Sequence, residues 1–144
     1  KEYIDSYFAR FAGVRAYMHD IVETARTQGY VETIFHRRRY IPEIKSSNFN
    51  IRSGAERIAL NTPVQGSAAD IIKLAMVRVR DALRDEGLQA RLVLQVHDEL
   101  IVECPAYEAL RVMQIVTEQM QDAVKLEVPL VAEAKMGGSW FDAK

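Results

Sequence analysis

His97, Asp98 and Glu99 stand together between two short apolar runs, residues 92–94 and 100–102. Apolar runs that flank a tight polar break predict a β-hairpin. An aspartate at the tip of a strand pair can hold a metal ion beside a substrate, which would make this hairpin half of a phosphoryl-transfer site. Asp and Glu are also common at ordinary solvated turns, so these residues alone leave both interpretations open.

Strand alternation in the first half of this hairpin predicts two faces. Gln95 and His97 would lie on the face away from the core, and Leu92, Leu94 and Val96 would lie on the other. A histidine, an amide and a carboxylate would then converge at one strand end. That convergence favours a functional site over an ordinary turn.

A second polar set recurs every four residues: Arg57, Asn61 and Gln65. On a helix a step of four advances about 400°, so the three side chains would lie nearly in line. The minor groove of a duplex presents acceptors at similar positions on every base pair, and these residues can donate to them. The row could therefore sense pairing geometry without reading sequence, although a polar solvent-facing edge is the commoner use of such residues. Pro63 and Gly66 weaken a strictly helical placement of Gln65.

Positive charge is concentrated in the first part of the chain. Residues 1–60 carry 10 Lys and Arg against 7 Asp and Glu, whereas residues 61–144 carry 9 against 13, and the net charge is −1. The excess is sharpest in six cations within residues 35–60: Arg37, Arg38, Arg39, Lys45, Arg52 and Arg57. Such a basic stripe suits a nucleic-acid backbone on one face, and a solvated charged surface is the alternative.

The bulk composition fits one ordinary globular domain, with 144 residues, 49% hydrophobic and 27% charged. No apolar run approaches the ~20 residues that span a membrane. The single cysteine, Cys104, is expected to be a buried small side chain in a reducing, cytoplasmic setting. The chain begins at Lys1 without an initiator Met, and we expect it to be a portion of a longer protein.

Helices and a short hairpin are predicted for the first part of the chain. Gly13 predicts an interruption of an early helical stretch, and Gly29 predicts the C-terminal cap of a helix over residues 14–27. Two short strands are expected over residues 30–34 and 39–41.

Two further helices are expected after this hairpin. Ser53 begins a capping-box pattern, so a helix should begin between residues 50 and 53. Pro63 should kink or end it, and Ser67 should cap a new helix that Gly87 ends.

The last third of the chain predicts the hairpin over residues 91–103, a helix that begins at Pro105 and a final strand over residues 129–136. The buried stripe of this helix is expected to be Leu110, Met113, Val116, Met120 and Val124. Antiparallel strands with helices packed on one side make an α+β fold.

Two motifs in this sequence closely resemble the C-terminal part of family A DNA polymerases, the bacterial DNA polymerase I type. They are residues 57–70, RIALNTPVQGSAAD, and residues 95–99, QVHDE. Residues 30–48 and 140–142 are also similar to that family, so the resemblance spans essentially the whole chain. It implies the palm portion of the polymerase, an antiparallel sheet packed against helices, with an additional helical segment on the N-terminal side.

The resemblance implies a single partial unit with three parts. These are a helix and short hairpin over residues 1–49, helices that bear the DNA-facing row over 50–87, and the palm hairpin, helix and last strand over 88–144.

The family copies DNA by attack of a primer 3′-hydroxyl on the α-phosphate of a nucleoside triphosphate, with two Mg²⁺ ions bridged by two aspartates. Asp98 matches one of those aspartates, and Glu99 matches its neighbouring carboxylate, which has a supporting role. His97 matches a residue near the primer terminus. The remaining matches are to family residues that contact the DNA. Arg57, Asn61 and Gln65 match residues at the minor groove, and Arg52 matches a residue at a phosphate.

The family's other catalytic aspartate and its triphosphate-binding fingers helix belong to motifs absent from this sequence. One aspartate is a weak site for magnesium, so we expect the chain alone not to polymerise. At Phe35 and His36 many members have a glycine turn, which leaves the shape of this hairpin open. We expect the parent protein to be a monomer of the bacterial cytoplasm, with primer–template DNA and deoxynucleoside triphosphates as partners, no membrane, and roles in DNA replication and repair.

Two other functions fit parts of the pattern. A non-catalytic DNA-binding module would keep the polar row and do no chemistry. A hydrolase would use His97 and Asp98 as an acid–base pair on phosphoesters. Neighbours on a strand point to opposite faces, so the hydrolase would need the turn to bring the two together.

Overall fold

The computed structural model describes residues 2–143. Its helices and short antiparallel strand pairs confirm the α+β class. The chain divides into two compact units, residues 1–67 and 68–144, and each unit is described by itself. No helix among residues 2–143 has the length and apolar character that crossing a membrane requires.

Two helices open the first unit, α1 (Glu2–Arg10) and α2 (Ala12–Gln28). The break between them lies at Phe11, whose backbone leaves the helical region (φ −117°, ψ 59°). An interruption is therefore present, but it precedes the predicted position, and Gly13 lies in the first turn of α2. Gly29 caps α2 as predicted, in the left-handed conformation (φ 80°).

A short hairpin and a 3₁₀ turn follow α2. Strands β1 (Tyr30–Glu32) and β2 (Arg38–Tyr40) pair antiparallel, and the 3₁₀ turn covers Pro42–Lys45. The core of this unit joins these segments to α2 and to the next helix through six buried side chains: Ala25, Val31, Ile41, Ile44, Ala55 and Ala59. The helix that carries the polar row is thereby packed on the hairpin region.

Helix α3 (Phe49–Asp85) begins earlier than predicted. Its cap is Asn48, whose Oδ1 accepts the N–H of Asn50 at 2.9 Å and the N–H of Ile51 at 3.4 Å. The predicted start between residues 50 and 53 is therefore late, because Asn48 and not Ser53 satisfies the orphan N–H groups of the first turn. Ser53 lies inside the helix that Asn48 has already begun.

Pro63 lies inside α3, and the helix continues through it. The predicted new helix at Ser67 is therefore wrong, since the Ser67 hydroxyl donates to the Pro63 carbonyl at 2.5 Å instead of capping a helix start. A proline removes one N–H donor from a helix interior, and the buried side chains of Ala59 and Thr62 hold the helix across that position. Gly87 follows the end of α3 as predicted, in the left-handed conformation (φ 68°).

The second unit contains the rest of α3, a hairpin and a last helix. Its elements are β3 (Arg91–Val96), β4 (Glu99–Glu103), a 3₁₀ turn (Ala106–Glu108) and α4 (Ala109–Gln121). The hairpin predicted over residues 91–103 is confirmed. Its core is built on four buried side chains, Val79, Leu83, Val112 and Ile115, against which Leu100 and Val102 of β4 pack.

The buried stripe predicted for α4 is partly wrong. Leu110 is 70% exposed, whereas Val112 and Ile115 are buried, with Val116 and Met120 packed beside them. Val112 and Ile115 are apolar at helical spacing just as Leu110 and Met113 are, so the pattern alone does not select one stripe. Packing with Val79 and Leu83 selects the observed one.

The final strand predicted over residues 129–136 is wrong as well. No residue in the described part of the chain pairs with this segment, which has no regular secondary structure. A period-two pattern gives a strand only where a neighbouring strand accepts its hydrogen bonds. One side-chain contact reaches the segment, from Gln121 Nε2 to the Ala132 carbonyl at 3.2 Å.

A buried carboxylate ties the approach of β3 to α4. Glu108 is 8% exposed, and its carboxylate accepts the N–H of Gln89 at 3.0 Å and the N–H of Ala90 at 3.2 Å. Substituting Glu108→Ala leaves both amides without this acceptor. We expect a loss of about 2 kcal/mol in the free energy of unfolding, measured by chemical denaturation.

Amide hydrogen exchange localises this effect to Gln89 and Ala90, which should exchange faster in the Glu108→Ala variant. The matched control is Glu118→Ala, which removes an exposed carboxylate from α4, the helix that follows Glu108. Equal protection of the two amides in both variants would contradict the assignment.

Candidate functional site

The hairpin tip is a two-residue turn formed by His97 and Asp98 between the paired residues Val96 and Glu99. His97 adopts a left-handed backbone (φ 51°), which is uncommon for residues other than glycine. The Gln95 side chain donates from Nε2 to the His97 carbonyl at 2.6 Å and braces the turn. The side chains of His97, Asp98 and Glu99 are all exposed, so the braced tip presents an imidazole and two carboxylates to solvent.

A bulge changes which side chains share a face of the hairpin. Leu92 pairs with Val102, whereas Leu94 pairs with Ile101, so Val93 is the extra residue. Residues that lie opposite each other in a ladder share a face. The common face predicted for Leu92 and Leu94 is wrong, because one extra residue reverses the alternation beyond it.

The same bulge moves Gln95 to the other face. Gln95 pairs with Leu100, and Leu100 packs against the core of the second unit. Gln95 thus lies on the face of Leu100, although its side chain is exposed and turns to the His97 carbonyl. From its observed position Gln95 reaches the turn backbone and supports Asp98 indirectly.

The donors at the tip match the chemistry of magnesium. Asp98 and Glu99 offer carboxylate oxygens, the hard ligands that Mg²⁺ prefers. Among residues 2–143, no three His, Cys, Asp or Glu side chains form a group that could hold a metal ion. Asp98 therefore fits as one part of a ligand set that draws its other oxygens from substrate or from other protein segments.

The structure places Arg57, Asn61 and Gln65 on one continuous helix, α3, and all three are exposed. Their neighbours Ala59 and Thr62 are buried, which fixes the rotation of α3 and turns the row outward. The proline does not displace Gln65 from the helix. The row therefore presents one guanidinium and two amides along one side of the helix.

Arg52 lies on α3 ahead of this row and is held within the first unit. Its Nη1 donates to the Ser46 carbonyl at 2.9 Å, and its guanidinium carbon lies 5.8 Å from the centre of the Phe49 ring. These contacts anchor the start of α3. The other guanidinium N–H groups of Arg52 are the ones that could serve a phosphate.

Arg38 of the basic stripe is engaged inside the protein. Its Nε donates to Glu32 Oε1 at 2.7 Å, and its guanidinium carbon lies 4.6 Å from the centre of the Tyr30 ring. The hydrogen bonds from Arg38, and secondarily from His36, hold the pKa of Glu32 below its usual value. Arg38 therefore brings less net charge to a nucleic acid than its sequence position indicates.

His36 belongs to the Phe35–His36 pair at which the sequence left the shape of the hairpin open. Its backbone is left-handed (φ 61°), the conformation that a glycine adopts without strain. Its N–H donates to the Thr33 carbonyl at 2.9 Å. The turn thus has a backbone shape suited to glycine at His36, which answers the question that the sequence left open.

The turn between β1 and β2 packs directly on α3 at Gly66. A Cβ built on Gly66 would lie 2.7 Å from Thr33 Cγ2. Arg37 Nη2 donates to the Gly66 carbonyl at 3.1 Å, and the Ile34 N–H donates to Ser67 Oγ at 3.0 Å. Sequence reasoning did not identify Thr33 or Ser67 as site-forming residues. The available signal was Gly66, because a glycine inside a helix often marks a close backbone approach.

Salt dependence tests whether the basic stripe meets a phosphate backbone. Arg57 is exposed on α3, whereas Arg39 donates to Thr62 Oγ1 at 3.4 Å and Arg38 is paired with Glu32. We expect DNA affinity to fall as salt is added, with a slope of about −0.9 per phosphate contact in log–log form.

A charge-removing variant at Arg52, the residue that the resemblance matches to a phosphate contact, separates this position from the background. Arg52→Gln should make the salt slope shallower by about one unit. The control is Arg84→Gln, which removes an exposed arginine near the other end of α3. A flat salt response of the unsubstituted protein would mean that the stripe is a solvated surface.

Comparisons with known proteins give a consistent result. Residues 1–142 match the family model described as DNA polymerase family A. The chain is 57% identical over 143 residues to DNA polymerase I of Geobacillus stearothermophilus and 56% identical over 142 residues to that of Bacillus subtilis. Each of these alignments covers 99% of this chain and 16% of the relative.

A solved structure is similar in shape as well as in sequence. It is the POL domain of Pol1 from M. smegmatis in complex with DNA primer-template and dNTP, with a TM-score of 0.94 and 51% identity. The superposition covers 97% of this chain and 25% of that one. The chain thus spans a minor part of each protein that it resembles.

Proposed function

Because the chain belongs to DNA polymerase family A, we propose that it forms part of the primer–template and metal site of a DNA-directed DNA polymerase. The whole protein transfers nucleotides onto a primer 3′ end under the direction of a template. Its substrates are primer–template DNA and deoxynucleoside triphosphates. The observation that carries this proposal is the braced turn at residues 97–98, which presents Asp98 at an exposed hairpin tip.

Asp98 is the ligand that this chain contributes to a two-magnesium site. Magnesium, when bound, stabilises charge on the attacking and leaving oxygens of the transferred phosphoryl group. Asp98 supplies carboxylate oxygen from a turn whose backbone Gln95 fixes, and this limits the reorganisation needed on substrate binding. Glu99 supports the site from the neighbouring position, and His97 lies near the primer terminus.

Arg57, Asn61 and Gln65 contact the minor groove of the primer–template duplex. The groove presents acceptors at similar places for every correct base pair. Side chains held in line on a packed helix therefore respond to pairing geometry and not to sequence. Arg52 contacts a backbone phosphate at the start of the same helix.

We place the whole protein in the bacterial cytoplasm as a monomer that acts in DNA replication and repair. The bacterial origin of the relatives supports this setting. The family's other catalytic aspartate and its triphosphate-binding helix belong to motifs absent from this sequence. We therefore expect the 144-residue chain alone to give no extension.

Templated primer extension by the whole polymerase tests the proposal. Addition of the triphosphate complementary to the template base, dependent on added Mg²⁺ and abolished by a chelator, is the expected result. Reactions without template provide the control. Failure to extend any primer, or extension that ignores the template, would overturn the proposed function.

A further inference from the structure

We propose that Ser67 is a positioning residue that fixes Gln65 for the primer–template duplex. It does so through a clasp, defined as Thr33 and Ile34 of the β1–β2 turn together with Gly66 and Ser67 of α3. This inference rests on the proposed function and adds to it a residue that acts through another.

The need for a clasp arises at Pro63. Proline has no N–H to donate, so α3 lacks the backbone hydrogen bond that residue 63 would make to the Ala59 carbonyl one turn earlier. A helix bends most readily at such a position. The two amide side chains of the row lie on either side of it, so their alignment depends on contacts from outside the helix.

Ser67 supplies such a contact through one hydroxyl. Its Oγ donates to the Pro63 carbonyl at 2.5 Å and accepts the N–H of Ile34 at 3.0 Å. Ser67 is 7% exposed, so neither bond competes with bulk water. The hydroxyl thus links the helical turn after the proline to the β1–β2 turn.

Gly66 and Thr33 make the second contact of the clasp. The 2.7 Å separation between a Gly66 Cβ and Thr33 Cγ2 is closer than any real Cβ contact, so only glycine lets the turn lie this near the helix backbone. Thr33 is 4% exposed. The position of the helix immediately beside Gln65 is therefore set by the turn.

The turn itself is held by its own hydrogen bonds. Thr33 Oγ1 accepts the N–H of Phe35 at 3.3 Å and the N–H of Arg37 at 3.2 Å, while the Thr33 N–H donates to the Arg37 carbonyl at 3.0 Å. A support that is fixed in this way can hold a helix segment in one orientation. A shift of about 1 Å at a substrate contact can reduce rate a hundredfold.

The first test compares four forms of the whole polymerase: unsubstituted, Ser67→Ala, Gln65→Ala and the double variant. We expect Ser67→Ala to slow extension of matched primers about ten- to a hundredfold at saturating triphosphate. Since Ser67 acts through Gln65, the Ser67→Ala change should add little further loss in the Gln65→Ala background. Ser67→Thr keeps the hydroxyl and should restore the rate.

The outcomes of this cycle separate the clasp from the proposed function. Fully additive losses, or a Ser67→Ala enzyme that melts at a lower temperature but extends normally, would show a structural role only and overturn the clasp. An impaired Gln65→Ala enzyme beside a normal Ser67→Ala enzyme overturns the clasp and leaves the proposed function standing. An unsubstituted polymerase that cannot extend overturns both.

The second test uses a compensating pair, which stays informative if one variant folds poorly. Gly66→Ala should slow extension, because its methyl group would meet Thr33 Cγ2. Thr33→Ser removes that methyl group and keeps Oγ1 and its two bonds, so the double variant should recover most of the lost rate. A double variant that extends primers no faster than Gly66→Ala alone would show that the contact with Thr33 is not the cause of the slower extension, and would overturn the clasp.

Discussion

Substituting Asp98→Asn in the whole polymerase should reduce templated primer extension by about a thousandfold. Asparagine has nearly the same shape as aspartate, but it carries no charge and holds magnesium weakly. The side chain is exposed in a turn braced through the His97 backbone, so the substitution should leave the fold and the affinity for primer–template DNA unchanged. The measurement is single-nucleotide extension at matched DNA occupancy with Mg²⁺ present.

The matched control for this experiment is Glu103→Gln, which neutralises an exposed carboxylate at the other end of β4. It should extend primers at the unsubstituted rate. If Asp98→Asn also extends normally, Asp98 is a turn residue, and the chain is then better described as a DNA-binding module that shares the family's fold. Phosphoester turnover without template or triphosphate would instead support the hydrolase alternative.

Local turn residues in the sequence correctly predicted a helix cap and the hairpin turn. Gly29 and the polar break at residues 97–98 were sufficient because each needs only its own few residues to adopt the observed backbone. The start of α3 was missed because Asn48 and Ser53 are both good caps, and no local rule ranks two such candidates. The continuity of α3 through Pro63 depends on buried contacts of the surrounding helix, which lie outside any local pattern.

In the candidate site as well, the features that depend on local spacing were predictable and those that depend on strand pairing were not. Helical spacing predicted the row of Arg57, Asn61 and Gln65 because a four-residue step fixes relative direction once the helix exists. The bulge at Val93 could not be predicted from the sequence, because a residue is extra only in relation to the strand with which it pairs. The engagement of Arg38 with Glu32 was equally hidden, because it follows from strand register and not from charge counts.

Replacing Gln65 with Ala should slow extension of matched primers about ten- to a hundredfold and leave the apparent affinity for the triphosphate near its unsubstituted value. The amide is exposed on a packed helix, so its loss removes a contact with the duplex and not a part of the core. Arg57→Ala should behave similarly. Arg57→Lys should recover little, because an ammonium group does not reproduce the fork of donors that a guanidinium presents.

The measurement is the rate of single-nucleotide addition as a function of triphosphate concentration, on matched and mismatched primer termini. A row that senses pairing geometry makes its favourable contacts only with a correctly paired duplex. Gln65→Ala should therefore slow extension of matched termini more than extension of mismatched ones, and so reduce the ratio of the two rates. Gln28→Ala removes an exposed amide at the end of α2 and provides the control. Unchanged kinetics on matched primers would show that Gln65 makes no important contact with the groove. Equal slowing on both kinds of terminus would show that Gln65 contacts the duplex but has no role in discriminating matched from mismatched pairs.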